Sequence, residues 1–150
     1  MKCYGGPGGG AKKEGLALDI VITEWALQSY LDLLAHGAFT KADYKNQIRP
    51  DVLLLGKGWP PSDPRFLSSK FWGPAVSRGF QVPHGFKMKW RNIGNGQVQL
   101  RLCATEHSGR VFLCHAYAKD SKATDRRQLA KFRGRVQLIH QNRHIERGVL

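Results

Sequence analysis

The sequence predicts one α+β domain: an antiparallel β-meander with N-terminal helices and a C-terminal helix packed on one face, in the order β-α-α-β-β-β-α. Three observations predict it. An aliphatic run at 16–23 gives way to helical spacing at 24–36. Three alternating segments separated by turn signals occupy 86–118. A last amphipathic stretch follows from 124. The length of 150 residues suits one domain and is enough to bury a core without metal or disulfide support. An apolar share of 41% argues against global disorder.

The elements follow in order. Residues 1–15 (MKCYGGPGGGAKKEG) read as a flexible Gly-rich leader. They lack the apolar stretch of a secretory signal and the GK[ST] ending of a phosphate-binding loop. Leu16 to Thr23 is rich in aliphatic and β-branched residues and reads as a strand. Trp25, Leu27, Tyr30, Leu31 and Leu34 form an apolar stripe on the helix from Glu24 to His36, which Gly37 stops. Thr40 and Asp43 form a weak capping box for a second helical segment, which Pro50 kinks or ends before the run Asp51 to Leu55. Residues 56–84 are broken by repeated Gly and Pro and read as an irregular insertion with short helical turns. Its aromatic residues Trp59, Phe66, Phe71 and Trp72 pack on the core.

Phe86 to Asn92, Gln97 to Thr105 and Arg110 to Ala118 read as three strands, with turns at Asn95-Gly96 and Ser108-Gly109. Thr124 or Asp125 caps a final helix. Its stripe of Leu129, Phe132, Val136 and Ile139 faces the core, and Arg126, Arg127, Lys131, Arg133 and Arg135 point mostly to water. The domain spans 16–140, and 141–150 is a tail.

Strand parity decides which side chains share a face. A four-residue loop, Glu106 to Gly109, pairs Thr105 with Arg110 and puts Val98, Leu100, Leu102, Ala104, Val111 and Leu113 together as core. A two-residue Asn95-Gly96 loop would bury lysines. A three-residue loop, 94–96, pairs Lys89 with Arg101 and Lys87 with Cys103 and sends Phe86, Met88 and Trp90 inward. Burying unpaired lysines is costly, so the second register is expected. Lys87, Lys89, Arg91 and Arg101 then form a basic strip on an open face with no acid among them, and Gln97 and Gln99 lie at its edge. Lys119 and Lys122 close one end. His115 and Tyr117 carry core-face parity, and His115 reads as a satisfied core residue.

Charge points the same way. Residues 1–84 carry a net +3, residues 85–150 a net +10, and the whole chain +13. Such a basic half favours a polyanionic partner, most often nucleic acid. Three cysteines with no CxxC exclude a disulfide framework or a zinc ribbon and suit a reducing, cytoplasmic setting. No stretch approaches a membrane span. No metal-ligand set, Ser/His/Asp set or carboxylate pair stands out, so no cofactor is expected.

The segments GFKMKW, QVQLRLCAT and RVFLCHAYAKDSKATDRRQL resemble the C-terminal half of the RelE/ParE toxin superfamily, nearest its HigB-like, phage-associated branch. The similarity covers about residues 85–135, and 16–55 match by pattern. It implies a toxin of a type II toxin–antitoxin system: a metal-independent endoribonuclease cutting mRNA, often on the ribosome. It also implies neutralisation by a cognate antitoxin, here expected to carry a helix-turn-helix domain. Lys87 and Lys89 match the family's paired basic residues, Arg101 its strand arginine, and Lys119 the basic residue after the last strand. These four are the expected catalytic residues, and Arg91, Gln99, Tyr117 and Lys122 are expected to bind RNA. Asp120 stands where a second basic residue is usual, and the family's C-terminal Tyr or His acid/base has no clear match. The alternatives are a non-catalytic nucleic-acid-binding or protein-interaction module on the same scaffold, and a ParE-like inhibitor of DNA gyrase.

Overall fold

The computed structural model describes residues 17–93 and 98–150. The expected leader at 1–15 and the Asn95-Gly96 turn lie outside the described residues. The fold is α+β, built on a six-stranded sheet of order β2-β3-β4-β5-β1-β6. Strands β2 (Trp72–Ser77), β3 (Phe80–Ile93), β4 (Val98–His107) and β5 (Arg110–Ala118) form an antiparallel meander. Strand β1 (Asp19–Thr23) pairs parallel to β5, and β6 (Glu146–Val149) pairs antiparallel to β1.

Thr23 joins β1 to helix α1 (Glu24–Ala35). Its hydroxyl accepts from the Ala26 amide and donates to the Leu113 carbonyl of β5 at 2.7 Å. Gly37, at φ +76°, ends α1 as expected. The amides of Gly37 and Ala38 bond back to Leu34 and Leu33, and only a residue tolerant of left-handed backbone permits that closure. The Thr40/Asp43 capping box is present and starts α2 (Lys41–Asp43). The backbone then passes through a π turn, Tyr44–Ile48, into α3 (Arg49–Leu53) and a 3-10 turn, Leu54–Lys57. Pro50 sits where the π turn passes into α3, and the helical backbone continues through it, with the Arg49 amide bonded back to the Tyr44 carbonyl. The α1 stripe is the expected one in part: Trp25, Tyr30 and Leu34 pack on the cores, but Leu31 is exposed, while Ala26 is buried and Leu33 packs inward.

Two parts of the fold were not anticipated. Residues 72–88 form a hairpin rather than an irregular insertion. Arg78 and Gly79 both adopt positive φ, and Ser77 pairs with Phe80 across them. This is a two-residue I′ turn made without the usual Asn-Gly signal. Pro74 is tolerated because β2 is an edge strand. The expected tail also contains β6, a short, fully exposed strand with no apolar alternation to announce it.

The largest correction concerns the layers. Helices α1 to α3 and the Phe66–Trp72 region cover one face, over Met88, Trp90, Leu100, Leu102 and Leu113. Helix α4 (Lys122–His140) covers the other, packing Leu129, Phe132, Val136 and Ile139 on Val21, Val82, Cys103 and Phe112. The reverse face also carries apolar side chains, so it too needs cover. Gly85 makes room: a Cβ there would lie 2.8 Å from the Phe132 ring. The α4 stripe is the expected one, but its N-cap is Ser121, whose hydroxyl accepts from the Thr124 amide. Arg133 and Arg135 do not simply face water. Arg133 donates to the carbonyls of Ser77 and Phe80, and Arg135 lies over the Trp25 ring.

The β3–β4 register is the expected one along the strip: Lys89 opposes Arg101 and Lys87 opposes Cys103. The β4–β5 register differs. His107, not Thr105, pairs with Arg110, across a two-residue Ser108-Gly109 turn. The shift is by an even number of residues, so the core face survives it. A bulge opposite Cys103/Ala104 then reverses parity along the rest of β5. His115 and Tyr117 therefore turn to the α4 side of the sheet, and Tyr117 stands opposite Arg101.

Candidate functional site

Two rows of side chains cross the sheet beside the first turn of α4. One is Lys89, Arg101 and Tyr117 on β3, β4 and β5. The other is Gly73, Lys87, Cys103 and His115 on β2 to β5. Strand alternation places them on one face because each pair within a strand is two residues apart. Like charges directly opposite across strands repel, and Lys89 and Arg101 are such a pair.

The site is less open than expected and contains an acid. Arg101 is only 4% exposed and Lys87's side chain 15%. Asp125, from the first turn of α4, reaches in from above. Its Oδ2 lies 3.6 Å from Lys87 Nζ, and its Oδ1 accepts the Tyr117 hydroxyl proton. Burial alone would raise the Asp125 pKa. The Tyr117 hydrogen bond and the charges of Lys87, Lys119 and Arg101 outweigh it and hold the carboxyl below its ordinary range. Burial and the same carboxylate push Tyr117 well above the usual phenol range. The sequence showed Asp125 only as a possible helix cap. Its role depends on a helix crossing the sheet, which local pattern does not reveal.

Lys89 and Arg101 make no ion pair with a carboxylate among the described residues. Lys89 Nζ donates to the Ser69 carbonyl at 2.8 Å, and Arg101 Nη2 donates to Gln99 Oε1 at 3.3 Å. Burial lowers the Lys89 pKa, and Lys87, Arg101 and Arg91 lower it further. Burial also lowers that of Arg101, which nonetheless stays charged at neutral pH. Gly73 leaves space for Lys89: a Cβ would lie 3.3 Å from its Nζ.

The remaining expected residues divide. Arg91 and Gln99 are exposed at the outer end of the strip. Lys119 is half-buried, and its amide donates to the Gln99 carbonyl at 2.8 Å. Lys122 is exposed on the first turn of α4 and joins no ion pair among the described residues. Asp120 is exposed, and its Oδ1 accepts from the Thr124 hydroxyl. Gln97 lies outside the described residues. Cys103 and Cys114 are free, buried thiols, with burial pushing Cys103 up to about 12. Among the described residues, no group of three His, Cys, Asp or Glu side chains could hold a metal ion. No helix among them is long and apolar enough to cross a membrane.

No known protein family matches the chain, and no curated protein sequence does.

Proposed function

We propose that this chain is a RelE/HigB-like toxin, a metal-independent endoribonuclease acting on mRNA, with the strip as its RNA site. The observation that carries the reading is the Lys89–Arg101 pair, two cations directly opposed across strands with no carboxylate bonded to either among the described residues. An RNA phosphate placed between them would relieve the repulsion and use both charges.

The chemistry follows from the side chains. A 2′-OH attacks the adjacent phosphorus, the 5′-oxygen leaves, and a 2′,3′-cyclic phosphate remains. The lowered pKa of Lys89 makes it the best-placed base for the 2′-OH. Arg101 supplies bidentate stabilisation of the phosphorane. Lys87 is held by Asp125, and Lys119 lies near enough for its charge to act on that carboxylate. Lys119 is the candidate donor to the leaving oxygen. Tyr117, with its pKa raised, serves better to orient Asp125 than to give up a proton. Arg91, Gln99 and Lys122 hold the flanking strand. This chemistry calls on no cofactor. The partners are mRNA, on or off the ribosome, and a cognate antitoxin with a helix-turn-helix domain.

A second reading draws on the burial of Arg101 and the Lys87–Asp125 contact. Both limit access, as expected of a scaffold that binds RNA or protein without cutting. Incubation of mRNA with the protein in EDTA, with and without ribosomes, separates the two. Fragments ending in 2′,3′-cyclic phosphate, lost in Lys87→Ala/Lys89→Ala, support cleavage. Intact RNA under both conditions rejects it.

A further inference from the structure

Under α1, on the face of the sheet away from the strip, an apolar pocket of about 210 Å³ enters the larger core. Its floor is the sheet, at Trp90, Leu102 and Leu113. Helix α1 gives it one wall, with Ala26 and Tyr30. The π turn and α3 give it another, with Tyr44, Ile48 and Val52.

Close-packed interiors hold few voids larger than a water molecule, and an unfilled one leaves its walls without contacts. This space is large and it is reachable. Leu102 and Leu113 lie on central strands beneath the helices, yet 7% and 6% of their surface stays accessible to solvent. Tyr30 and Tyr44 are only half-buried and leave a way in. The backbone beside the pocket is also unusual. The Arg49 amide bonds to the Tyr44 carbonyl five residues back, the wider π geometry. Single π turns within helical segments are frequent at functional sites.

The walls select the ligand. No lining residue carries a charge. The Trp90 indole N–H is already given to Asp51 Oδ2 at 2.9 Å. The side-chain polar groups that remain are the hydroxyls of Tyr30 and Tyr44. An ion would lose its hydration here with no counter-charge to replace it. Water needs roughly two to four polar partners and finds few. An engineered apolar cavity of about 150 Å³ stays dry and binds benzene. Aromatic rings gather on one side of the pocket. Tyr30 meets Phe39 at 5.5 Å between centroids and Tyr44 edge-on at 4.9 Å. All three line the space, so a further ring extends the cluster through edge or offset contacts.

We propose that this pocket binds a small uncharged aromatic molecule, a single ring carrying at most one hydroxyl. The ring packs over Leu102 and Leu113, and the hydroxyl stays with those of Tyr30 and Tyr44. The pocket lies on the reverse side of the strands that carry the strip and stands whether or not the strip cleaves RNA.

The test is titration of the full chain with p-cresol, 4-methylcyclohexanol and 4-methylbenzoate, which are close in size and differ in aromaticity or charge. Calorimetry gives affinity, and the methyl resonances of Ile48, Val52, Leu102 and Leu113 report on the pocket. p-Cresol is expected to bind at about millimolar or tighter and to shift these methyls. It should bind at least about threefold tighter than the cyclohexanol. Against the benzoate the margin should be at least about tenfold. Ala26→Leu and Ala116→Leu fill the pocket from α1 and from β5. Each should weaken p-cresol binding by at least about tenfold, and either keeps the test valid if the other fails to fold. Unmoved methyls at about 10 mM p-cresol overturn the proposal. So does affinity retained in a folded, filled variant. Equal affinity for 4-methylbenzoate overturns the selection against charge, and equal affinity for 4-methylcyclohexanol overturns the aromatic contact.

Discussion

On one face of the sheet, β3 and β4 present Phe86, Met88, Trp90, Leu100, Leu102 and Ala104, all packed in the larger core. On the other face the alternate residues of the same strands are Lys87, Lys89, Arg101 and Cys103. The first face is closed along its length by helices and turns. The second is closed over its apolar part by α4, and the first turn of α4 brings one carboxylate to the cations. A sheet needs one apolar face to fold. What it does with the other is free to be decided by function. Here that face is split between a second core and a charged row that a core alone does not explain.

The largest expected effects test whether both cores are structural. Met88 and Phe132 are each fully buried, one on either face. Met88→Ala should cost about 2–5 kcal/mol and Phe132→Ala about 3–5 kcal/mol in urea unfolding. A loss below about 1 kcal/mol for Phe132→Ala would mean that α4 is a loosely held cover rather than a layer of the fold.

The next effect concerns pH. The His115 pKa falls from 6.5 to about 3 on folding, so the unfolded chain binds the proton more readily. The stability linked to this residue is fully present above pH 6.5 and is lost as pH falls toward 3. Its slope reaches at most about 1.4 kcal/mol per pH unit. Between about pH 7 and 4 the unfolding midpoint of the native protein should fall relative to that of His115→Phe as acid is added. Parallel curves would mean that the ring is hydrated or partnered in solution.

Asp125→Ala sharpens the comparison further. It leaves the Tyr117 hydroxyl and the Lys87 ammonium without their partner and should cost about 1–3 kcal/mol. The same change removes a negative charge from the strip, so RNA binding should tighten severalfold at low salt. Weaker RNA binding in a folded variant would show that Asp125 contributes to the site rather than opposing it.

Much of this architecture could be read locally. The α4 stripe, the Thr40/Asp43 box, the Gly37 stop and the Lys89–Arg101 register all rest on near-neighbour rules. What escaped depends on distant contacts or unusual backbone. Arg78-Gly79 makes a hairpin turn without the residues that usually mark one. The bulge on β5 reverses the parity of Tyr117 and His115, and alternation within β5 itself gives no sign of it. Asp125 enters the strip only because α4 lies across the reverse face, and the side on which a helix packs is set by two cores competing for cover. The cations themselves were visible; their burial and their acid were not.

The most direct test is Arg101→Met, with unfolding and RNA cleavage in EDTA measured on the same preparation. Methionine fills similar space without the cost of a buried, unpaired charge, so stability should stay within about 1 kcal/mol of the native protein or exceed it. Cleavage should fall by about 10²–10³-fold. A folded variant that cuts RNA as well as the native chain would contradict the account, and so would a native chain that leaves RNA intact.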